Sequence, residues 1–512
     1  MSSEITYNLE QPDKAEAVHV EKGQIMAHGL SAEDAHFLET YPLKKQEKAI
    51  RKVDFRLIPM LLFLYLITYL DKTNIGNAKI EGLLTDLHMT GDQYNIALSI
   101  FFVPYILAEV PSNMILEKFK RPSMYIGILV LGWGIIMTLT GLVQNFGGLC
   151  AVRAFLGLFE AGFFPGAILL VSKWYMPDET QARIALLYSS AASGGAFSGL
   201  LAFGISKMNG YAGLAGWRWI FIIEGLLTVV MGVLCFVLLI DTPALSGRWL
   251  EPDEIRFLEL RQAARQIQTP AVKGKGHFNK DALIAVICDW KMYLLILGSW
   301  SNAVPNYAMK FTMPTIVKSM GFTSANAQLL TIPPYACGAI SAYVISVLAD
   351  KCRWRMPFIV GPQVLLVVAF AILFSKAAEI ANNIALCYFA VCLACNGMYP
   401  IFPGVNAWNI ANTAGATKRA ISIGYLVCAG NIGGVIGSYI YIESEAPRYP
   451  TGYGNSLAFG SAGILAMLVL EFLLWTSNKK NARMSEEAIR EQYSAEQLEK
   501  MGDRSPLYRY RL

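Results

Sequence analysis

Residues 65–79 read YLITYLDKTNIGNAK, an apolar run that holds Asp71 and Lys72 side by side in its middle. A charged side chain at membrane depth costs about 2.5–3.5 kcal/mol on insertion scales, so it faces the interior of a bundle or an aqueous cavity. Such a residue indicates a functional site. We therefore predict a chain organised around this acid–base pair in a membrane-spanning helix.

The composition of the whole chain agrees with this prediction. The 512 residues are 54% hydrophobic and 16% charged, with a mean hydropathy of +0.40. Soluble domains carry about 25% charged residues, so the chain falls in the membrane class. The nine cysteines lie mostly in apolar runs, where thiols are expected to pack rather than to form disulfides or bind a metal. The first apolar run starts near Leu57 without the features of a cleavable signal, and is expected to stay in the membrane as an anchor.

Twelve apolar runs are long enough to cross a bilayer. They are predicted at residues 57–78, 93–116, 123–144, 149–173, 183–206, 218–240, 292–317, 328–349, 357–375, 384–405, 420–442 and 456–476. The predicted fold is therefore an all-α membrane protein with twelve transmembrane helices in two pseudo-symmetric six-helix halves. The predicted units are an N-terminal tail at 1–55, an N-terminal half at 56–240, a central loop at 241–290, a C-terminal half at 291–476 and a C-terminal tail at 477–512.

Lys and Arg residues are concentrated in the two tails, in the central loop and in short loops on the same side of the bundle. The positive-inside rule then predicts that both termini are cytosolic. Within the central loop, residues 250–267 alternate charged residues with Ile255, Leu258 and Leu260. This pattern indicates an amphipathic surface helix that serves as a structural linker.

The two halves contain matching interruptions. GFFPG at 162–166 corresponds to GMYPIFPG at 397–404, and SSAASGGAFSG at 189–199 corresponds to AGNIGGVIGS at 429–438. Small residues at such spacing allow helices to approach closely, and packing is the simplest role of most of these glycines. Gly and Pro interruptions at matching places in two halves indicate a secondary transporter with a site at the midplane.

The fourth predicted span supplies a second acid–base pair. Arg153 and Glu160 are seven residues apart, so they share a helix face about 10 Å apart along the axis. By residue count, Asp71 and Lys72 fall at a depth between them. Cations in a low-dielectric cavity attract carboxylates, which makes Lys72 and Arg153 candidate anion-binding residues.

The two acids of these pairs are candidate proton-coupling residues. Desolvation disfavours the charged carboxylate, so Asp71 and Glu160 are suited to take up protons. Protonation would then release the neighbouring cations to bind substrate. The alternative is that the four residues form structural ion pairs that fix helix packing.

Several other polar residues lie within predicted spans. Glu109 and Glu224 are expected to cap or pair near helix ends. Lys310 is expected to extend to the outer interface, with a third cation lining the cavity as the alternative. Uncharged candidates for the cavity wall are Asn302, Asn306, Asn396 and Asn431. Asn74, Asn396 and Tyr399 complete the set of candidate substrate-binding residues.

Four segments together resemble the anion:cation symporter family of the major facilitator superfamily, in its fungal allantoate-permease-like branch. They are YLDKTNIGNAK, VPSNMIL, RAFLGLFEAGFFPG and WNIANTAGATKRA. The resemblance covers nearly all of residues 55–476. It implies proton-coupled import of a small organic anion, such as nicotinate, pantothenate, allantoate, or an aromatic or sugar acid.

The resemblance also implies residue roles. It assigns the coupling protons to Asp71 and Glu160 and the substrate carboxylate to Lys72 and Arg153. The position after the first acid is commonly Arg in this family; here it is Lys72, a point charge without the bidentate fork of Arg. LADKCRWRMP at 348–357 resembles the superfamily's gating motif, with Asp350, Lys351 and Arg355 as its charged residues, whereas EKFKRPS at 117–123 is a degenerate counterpart.

The predicted function is a monomeric plasma-membrane symporter whose partners are a small organic anion, protons and the lipid bilayer. The proton gradient takes the place of a cofactor, and no nucleic acid is involved. Export of a fungal secondary metabolite is the alternative, and a non-transporting nutrient receptor is a third possibility. An enzyme is not expected, because no HExxH motif, GxSxG motif with partners or phosphate-binding glycine loop occurs in a suitable context.

Overall fold

The computed structural model describes residues 30–268, 280–352, 354–414, 416–483 and 501–512, together with 489, 491–494 and 497–498. The α-helices of these residues are α1 Ala32–Thr40, α2 Leu43–Ile80, α3 Leu83–Asp86, α4 Gly91–Ser99, α5 Phe102–Lys118, α6 Pro122–Thr140, α7 Phe146–Glu160, α8 Phe163–Trp174, α9 Pro177–Ser206, α10 Gly216–Leu238, α11 Pro252–Gln268, α12 Lys280–Ile287, α13 Trp290–Ser319, α14 Ser324–Leu329, α15 Ile332–Cys352, α16 Pro357–Lys376, α17 Ile384–Ala411, α18 Ala416–Ile440 and α19 Pro450–Asn481. Short 3₁₀ turns connect some of them, and the described residues contain no β-strand.

The predicted spans correspond, in chain order, to α2, α4–α5, α6, α7–α8, α9, α10, α13, α14–α15, α16, α17, α18 and α19. Nine of the described helical segments are long and apolar enough to cross a membrane. The other predicted spans, 93–116, 183–206 and 292–317, also lie in helices. The all-α fold is thus confirmed, and the helix pattern is consistent with twelve crossings.

Three crossings consist of two helical segments, and a proline accounts for each break. Pro104 follows the break between α4 and α5, Pro165 follows the break between α7 and α8, and Pro334 follows the break between α14 and α15. Proline has no N–H group to donate to the carbonyl four residues earlier, so the helix is interrupted there. The GFFPG segment therefore places Glu160 at the end of α7, directly before a break.

Two hydrophobic cores divide the bundle. One is formed mainly by α1–α11, with Phe311 of α13, and surrounds Trp133, Trp174 and Trp217. The other is formed mainly by α12–α19 and contains Trp408. Each of the two halves thus packs around a main hydrophobic core of its own.

Lys79, near the end of α2, pairs with Glu443, just before α19. The start of α2 and the end of α19 therefore lie together at the other end of the bundle, called here the terminal end.

The N-terminal segment differs from the predicted polar tail. Helix α2 starts at Leu43, well before the span predicted from residue 57, because Ala49, Val53 and Leu57 continue one buried helix face at a spacing of four residues. The predicted central-loop helix is present as α11. The ring of Phe257 stacks on that of Tyr41, with 4.9 Å between the ring centroids.

The last described residues, 501–512, pack against the terminal end of the second half. The Asp503 carboxylate accepts hydrogen bonds from Lys291 and from Lys418, the latter at 2.8 Å. The indole N–H of Trp408 donates to the carbonyl of Arg511 at 2.9 Å. This segment is called the docked tail below.

At the end of the bundle opposite the termini, polar contacts join the two halves. Lys79, near the end of α2, forms an ion pair with Glu443 in the loop between α18 and α19. The carbonyl of Ile80 accepts hydrogen bonds from Lys318 at 3.0 Å and from Ser324 at 3.1 Å. The halves are thus held together at the end away from the termini.

Candidate functional site

A cavity of about 290 Å³ lies between the two halves. It is lined by residues of α2, α9, α13, α15, α17 and α18. Aromatic side chains form much of its wall: Tyr65, Tyr69, Tyr307, Tyr343, Tyr399 and Phe402. Two lysines, Lys72 and Lys310, and three amides, Asn302, Asn306 and Asn431, lie among its polar groups. The cavity can therefore surround a small solute with rings while presenting positive charge.

Lys310 is buried beside the cavity, with 6% of its surface exposed. Its ammonium lies 3.9 Å from the ring centroid of Tyr69 and 4.8 Å from that of Tyr307, which stabilises the cation through the ring faces. Within the described part of the chain, no carboxylate lies at ion-pair distance from it. Lys310 thus presents its side-chain amine to a ligand in the cavity.

The expectation that Lys310 extends to the outer interface is wrong. Helix α13 continues to Ser319, so Lys310 lies about 13 Å before the end of the helix, beyond the reach of its side chain. The two tyrosine rings offer an interior alternative to water. The distance from Lys310 to the end of α13 decides whether its side chain can reach the outer interface, and that distance depends on where α13 ends.

Lys72 and Glu160 form the ion pair that joins the first and fourth crossings. The Nζ of Lys72 lies 2.7 Å from Oε1 of Glu160, whose side chain is 0% exposed. Lys72 also lines the cavity and lies 4.9 Å from the ring centroid of Tyr105. One partner of this pair therefore contacts the cavity, and the other is enclosed behind it.

Arg153 lies outside the cavity wall. Its guanidinium stacks on the ring of Phe101 at 4.8 Å, and its Nε–H donates to the carbonyl of Ala97 at 3.3 Å. That carbonyl belongs to the last turn of α4, where a cation offsets the negative end of the helix dipole. In this conformation the geometry gives Arg153 a supporting role at the α4–α5 break, rather than the predicted place in the site.

Asp71 and Asn74 also lie away from the cavity. The indole N–H of Trp133 donates to Oδ2 of Asp71 at 2.6 Å, and the amide of Asn74 donates to Oε2 of Glu224 at 2.5 Å. Consecutive residues of a helix point about 100° apart, so Asp71 cannot face the side that Lys72 faces. The four predicted residues therefore do not form one site. Lys72 lines the cavity and is paired with Glu160, whereas Asp71 and Arg153 are buried away from the cavity.

Tyr399 is in the cavity wall, as predicted. Its hydroxyl lies 2.5 Å from that of Tyr69, so the two residues join the halves beside the cavity. Asn396 is not among the cavity-lining residues; its carbonyl accepts a hydrogen bond from Ser341 at 2.8 Å. Of these two residues, three positions apart on α17, only Tyr399 therefore reaches the cavity.

Glu109 contributes a second contact between the halves. The amide of Asn431 donates to its carboxylate at 3.4 Å, and the hydroxyl of Tyr307 donates to Oδ1 of Asn431 at 3.3 Å. These groups connect α5 of the first half with α13 and α18 of the second. Of the three, Tyr307 and Asn431 line the cavity.

The gating motif lies at the terminal end. The side chain of Asp350 is outside the described residues, and Lys351 is exposed. The backbone N–H of Arg355 donates to the carbonyl of Leu512 at 3.1 Å. The docked tail therefore contacts the end of this motif.

Apart from Tyr399, the tyrosines of the cavity were missed by sequence reasoning, although a signal for Tyr65 and Tyr69 was present. Tyr65, Tyr69 and Lys72 recur at spacings of four and three residues, and Asn306 and Lys310 are four apart, so each set shares one helix face. Extending the face from each lysine would have found them.

Two helical halves that enclose a central cavity with ionisable side chains are the arrangement typical of secondary transporters. Residues 61–438 match the Major Facilitator Superfamily, and the chain belongs to this superfamily.

Relatives agree with this assignment. The chain is 36% identical over 483 residues to the MFS-type transporter cnsO of Penicillium expansum, covering 93% of this chain and 92% of that protein. It is 32% identical over 465 residues to the MFS-type transporter efuF of Hormonema carpetanum, covering 90% and 92%. The xylose transporter XylE from E. coli, in a partially occluded inward open conformation, is similar in fold with a TM-score of 0.62 at 12% identity, covering 80% of this chain and 97% of that one. The protein is therefore a multi-pass membrane transporter of this superfamily.

Proposed function

We propose that the protein is a proton-coupled symporter that imports a small carboxylate-bearing organic anion. The observation that carries the proposal is Lys310, a buried lysine beside the cavity with no carboxylate at ion-pair distance among the described residues. A buried charge is costly without a counterion. A bound carboxylate would supply that counterion.

The pair of Lys72 and Glu160 supports coupling to protons. While Glu160 is ionised, Lys72 is neutralised by it at 2.7 Å. When Glu160 takes up a proton, the ammonium of Lys72 loses its partner and becomes a second anion-binding group in the cavity wall. Proton and anion binding then favour each other, which is the requirement for symport.

The size and wall of the cavity support a small substrate. A water molecule occupies about 30 Å³ of liquid, so 290 Å³ holds a solute of about ten non-hydrogen atoms. The tyrosine rings suit its apolar part, and the amides of Asn302, Asn306 and Asn431 suit its polar groups. A vitamin-like acid, a ureide acid or a small aromatic or sugar acid meets these conditions.

The motifs quoted above support membership of the anion:cation symporter family, in its allantoate-permease-like branch. The Lys and Arg distribution supports cytosolic termini, and we propose a monomer in the plasma membrane. In that orientation the contacts of Lys79, Ile80 and Lys318 close the outer end.

Uptake of labelled organic acids by a transport-deficient host, at acidic and neutral external pH, tests the proposal. Accumulation that increases at acidic pH supports import, whereas exclusion of the acid from the cells indicates export instead. Lys310→Met should lower uptake at least about 30-fold, because truncating one partner of a buried charge pair costs 2 kcal/mol or more. Lys376→Met, at an exposed position at the end of α16, is the matched control. Uptake by Lys310→Met at the wild-type KM would overturn the role of Lys310.

A further inference from the structure

A chain of three hydrogen-bonded side chains runs from the interior of the bundle to the cavity wall. Its inner member is Glu109 on α5, which is 8% exposed and is not among the residues that line the cavity. Oε2 of Glu109 accepts a hydrogen bond from the amide of Asn431 at 3.4 Å, and Oδ1 of Asn431 accepts one from the hydroxyl of Tyr307 at 3.3 Å. Asn431 and Tyr307 both line the cavity. The chain therefore connects a buried acid with two groups that a solute can contact.

The direction of these hydrogen bonds follows from Glu109. Its Oε2 also accepts from the thiol of Cys428 at 3.8 Å, so two donors point at one oxygen. A carboxylate only accepts hydrogen bonds, and Asn431 therefore turns its NH₂ group towards Glu109. The carbonyl oxygen of the Asn431 amide then faces Tyr307. Because this oxygen is also only an acceptor, the hydroxyl of Tyr307 donates its single proton there.

The hydroxyl of Tyr307 is thereby left as an acceptor towards the cavity. Among the described residues it makes this one hydrogen bond, so its oxygen can still accept one from a solute. An O–H or N–H group of the solute satisfies that oxygen, whereas a carbonyl oxygen at the same place meets only lone pairs. A polar group left unpaired in a closed cavity lowers affinity.

Lys310 determines where on the solute this donor must lie. Lys310 and Tyr307 are three residues apart on α13 and share a helix face, and Nζ of Lys310 lies 4.8 Å from the ring centroid of Tyr307. A carboxylate bound by Lys310 therefore has its neighbouring carbon atoms beside that ring. The substituent that Tyr307 contacts is thus one close to the carboxyl group of the solute.

We propose that Glu109 is a specificity-determining residue, which acts through Asn431 and Tyr307 to select organic acids with a hydrogen-bond donor beside the carboxyl group. This selectivity rests on the proposed function, because the carboxylate must be held at Lys310. Acids with an O–H or N–H group next to the carboxyl group are the favoured class, and keto acids of the same size are disfavoured. Glu109 itself does not touch the solute and is a positioning residue.

Mandelate and phenylglyoxylate test this selectivity. They have equal numbers of non-hydrogen atoms and differ only in the hydroxyl or carbonyl group beside the carboxylate, and lactate and pyruvate form a second such pair. Equilibrium dialysis of the four labelled acids against the full chain in lipid nanodiscs measures each Kd. In a pair that binds, the hydroxy acid should bind at least about fivefold more tightly, as one net hydrogen bond provides.

The outcomes separate this inference from the proposed function. Equal binding within a pair, or tighter binding of the keto acid, overturns the selectivity and leaves the anion site at Lys310 in place. Absence of binding by all four acids overturns the anion site as well.

Variants assign the preference to the hydrogen-bonded chain. Glu109→Met keeps the length of the side chain without a strong acceptor, so Asn431 is free to turn and the ratio of the two Kd values should fall towards one. Glu471→Gln, whose carboxylate accepts a hydrogen bond from Trp354, is the matched control and should keep the ratio.

Tyr307→Phe removes the accepting hydroxyl itself and serves if Glu109→Met does not fold. Its ratio should also approach one. A ratio equal to that of the wild type in either variant overturns the proposal. Because two acids are compared in the same variant, a general loss of affinity from altered helix packing leaves the ratio unchanged and does not imitate the expected result.

Discussion

Lys79 and Glu443 form an ion pair between the two halves of the bundle, at the end opposite the termini. The side chain of Lys79 is 9% exposed and that of Glu443 is 41% exposed, and the ammonium also lies 4.7 Å from the ring centroid of Tyr94. An alternating-access carrier must separate its halves at this end during each cycle. The pair therefore favours the conformation that is closed there.

Replacing Glu443 should shift the balance between the two conformations. A partly exposed ion pair contributes up to about 1 kcal/mol, so Glu443→Gln should increase the population open at this end up to about fivefold. Electron paramagnetic resonance distances between labels at Tyr211 and Glu379, in a background with the exposed cysteines replaced, measure this population. Glu445→Gln is the control, because its carboxylate contacts Thr451 in the same half. Unchanged distances in Glu443→Gln would contradict the role of the pair.

Glu160→Gln should separate transport from the proton gradient. The amide imitates the protonated acid, so Lys72 stays available to the anion at every pH. Solute exchange across the membrane should persist, whereas accumulation driven by a pH gradient should be lost. Counterflow and gradient-driven uptake in proteoliposomes measure the two activities.

The matched control for Glu160→Gln is Glu471→Gln. Glu471 accepts a hydrogen bond from Trp354 at the other half of the molecule, and it should keep both activities. Gradient-driven accumulation that survives in Glu160→Gln would assign the coupling proton to another group.

The docked tail should depend on pH through Asp503. Burial alone would raise the pKa of Asp503, but Lys291 and Lys418 outweigh burial and hold it below its usual value of 3.8. Since the docked pKa is the lower one, the contribution of Asp503 is fully present above about pH 4. It is lost as the pH falls through the docked value. Asp503→Asn should weaken docking at neutral pH by about 3 kcal/mol, as removal of one partner of a buried pair does.

Limited proteolysis of the docked tail measures this effect. Cleavage at neutral pH should be faster in Asp503→Asn than in the wild type, and the difference should shrink in acid. Arg504→Gln changes an exposed neighbour and should cleave like the wild type. Equal cleavage of Asp503→Asn and wild type at neutral pH would show that the pair does not hold the tail.

Arg153→Gln should affect stability more than affinity. The substitution removes the contacts with Phe101 and the carbonyl of Ala97, and leaving a buried acceptor unsatisfied costs about 1–3 kcal/mol. Tm should fall, while KM for the transported acid should stay within about twofold of the wild type. Lys310→Met should instead raise KM for the transported acid and change Tm little. A large rise in KM for Arg153→Gln would return Arg153 to the substrate site.

Much of the fold was predictable because hydropathy and the intramembrane cost of charge act locally. Span order, the Lys72–Glu160 relationship and the place of Tyr399 follow from helix counting. The place of Asp71 was not predictable in the same way, because its direction depends on how α2 is rotated against α6 and α10. Lys310 was misplaced for a similar reason: the length of α13 beyond it, and the rings of Tyr69 and Tyr307, are properties of packing.

The two separate hydrophobic cores have a consequence for how the protein can be made. Helix α11, up to Gln268, belongs to the first core, and α12, from Lys280, precedes the helices of the second. A gene divided between these two positions should therefore yield two fragments that each insert and pack during their own synthesis. Co-expressed, the fragments should assemble into one complex, which permits isotope labelling of either half alone.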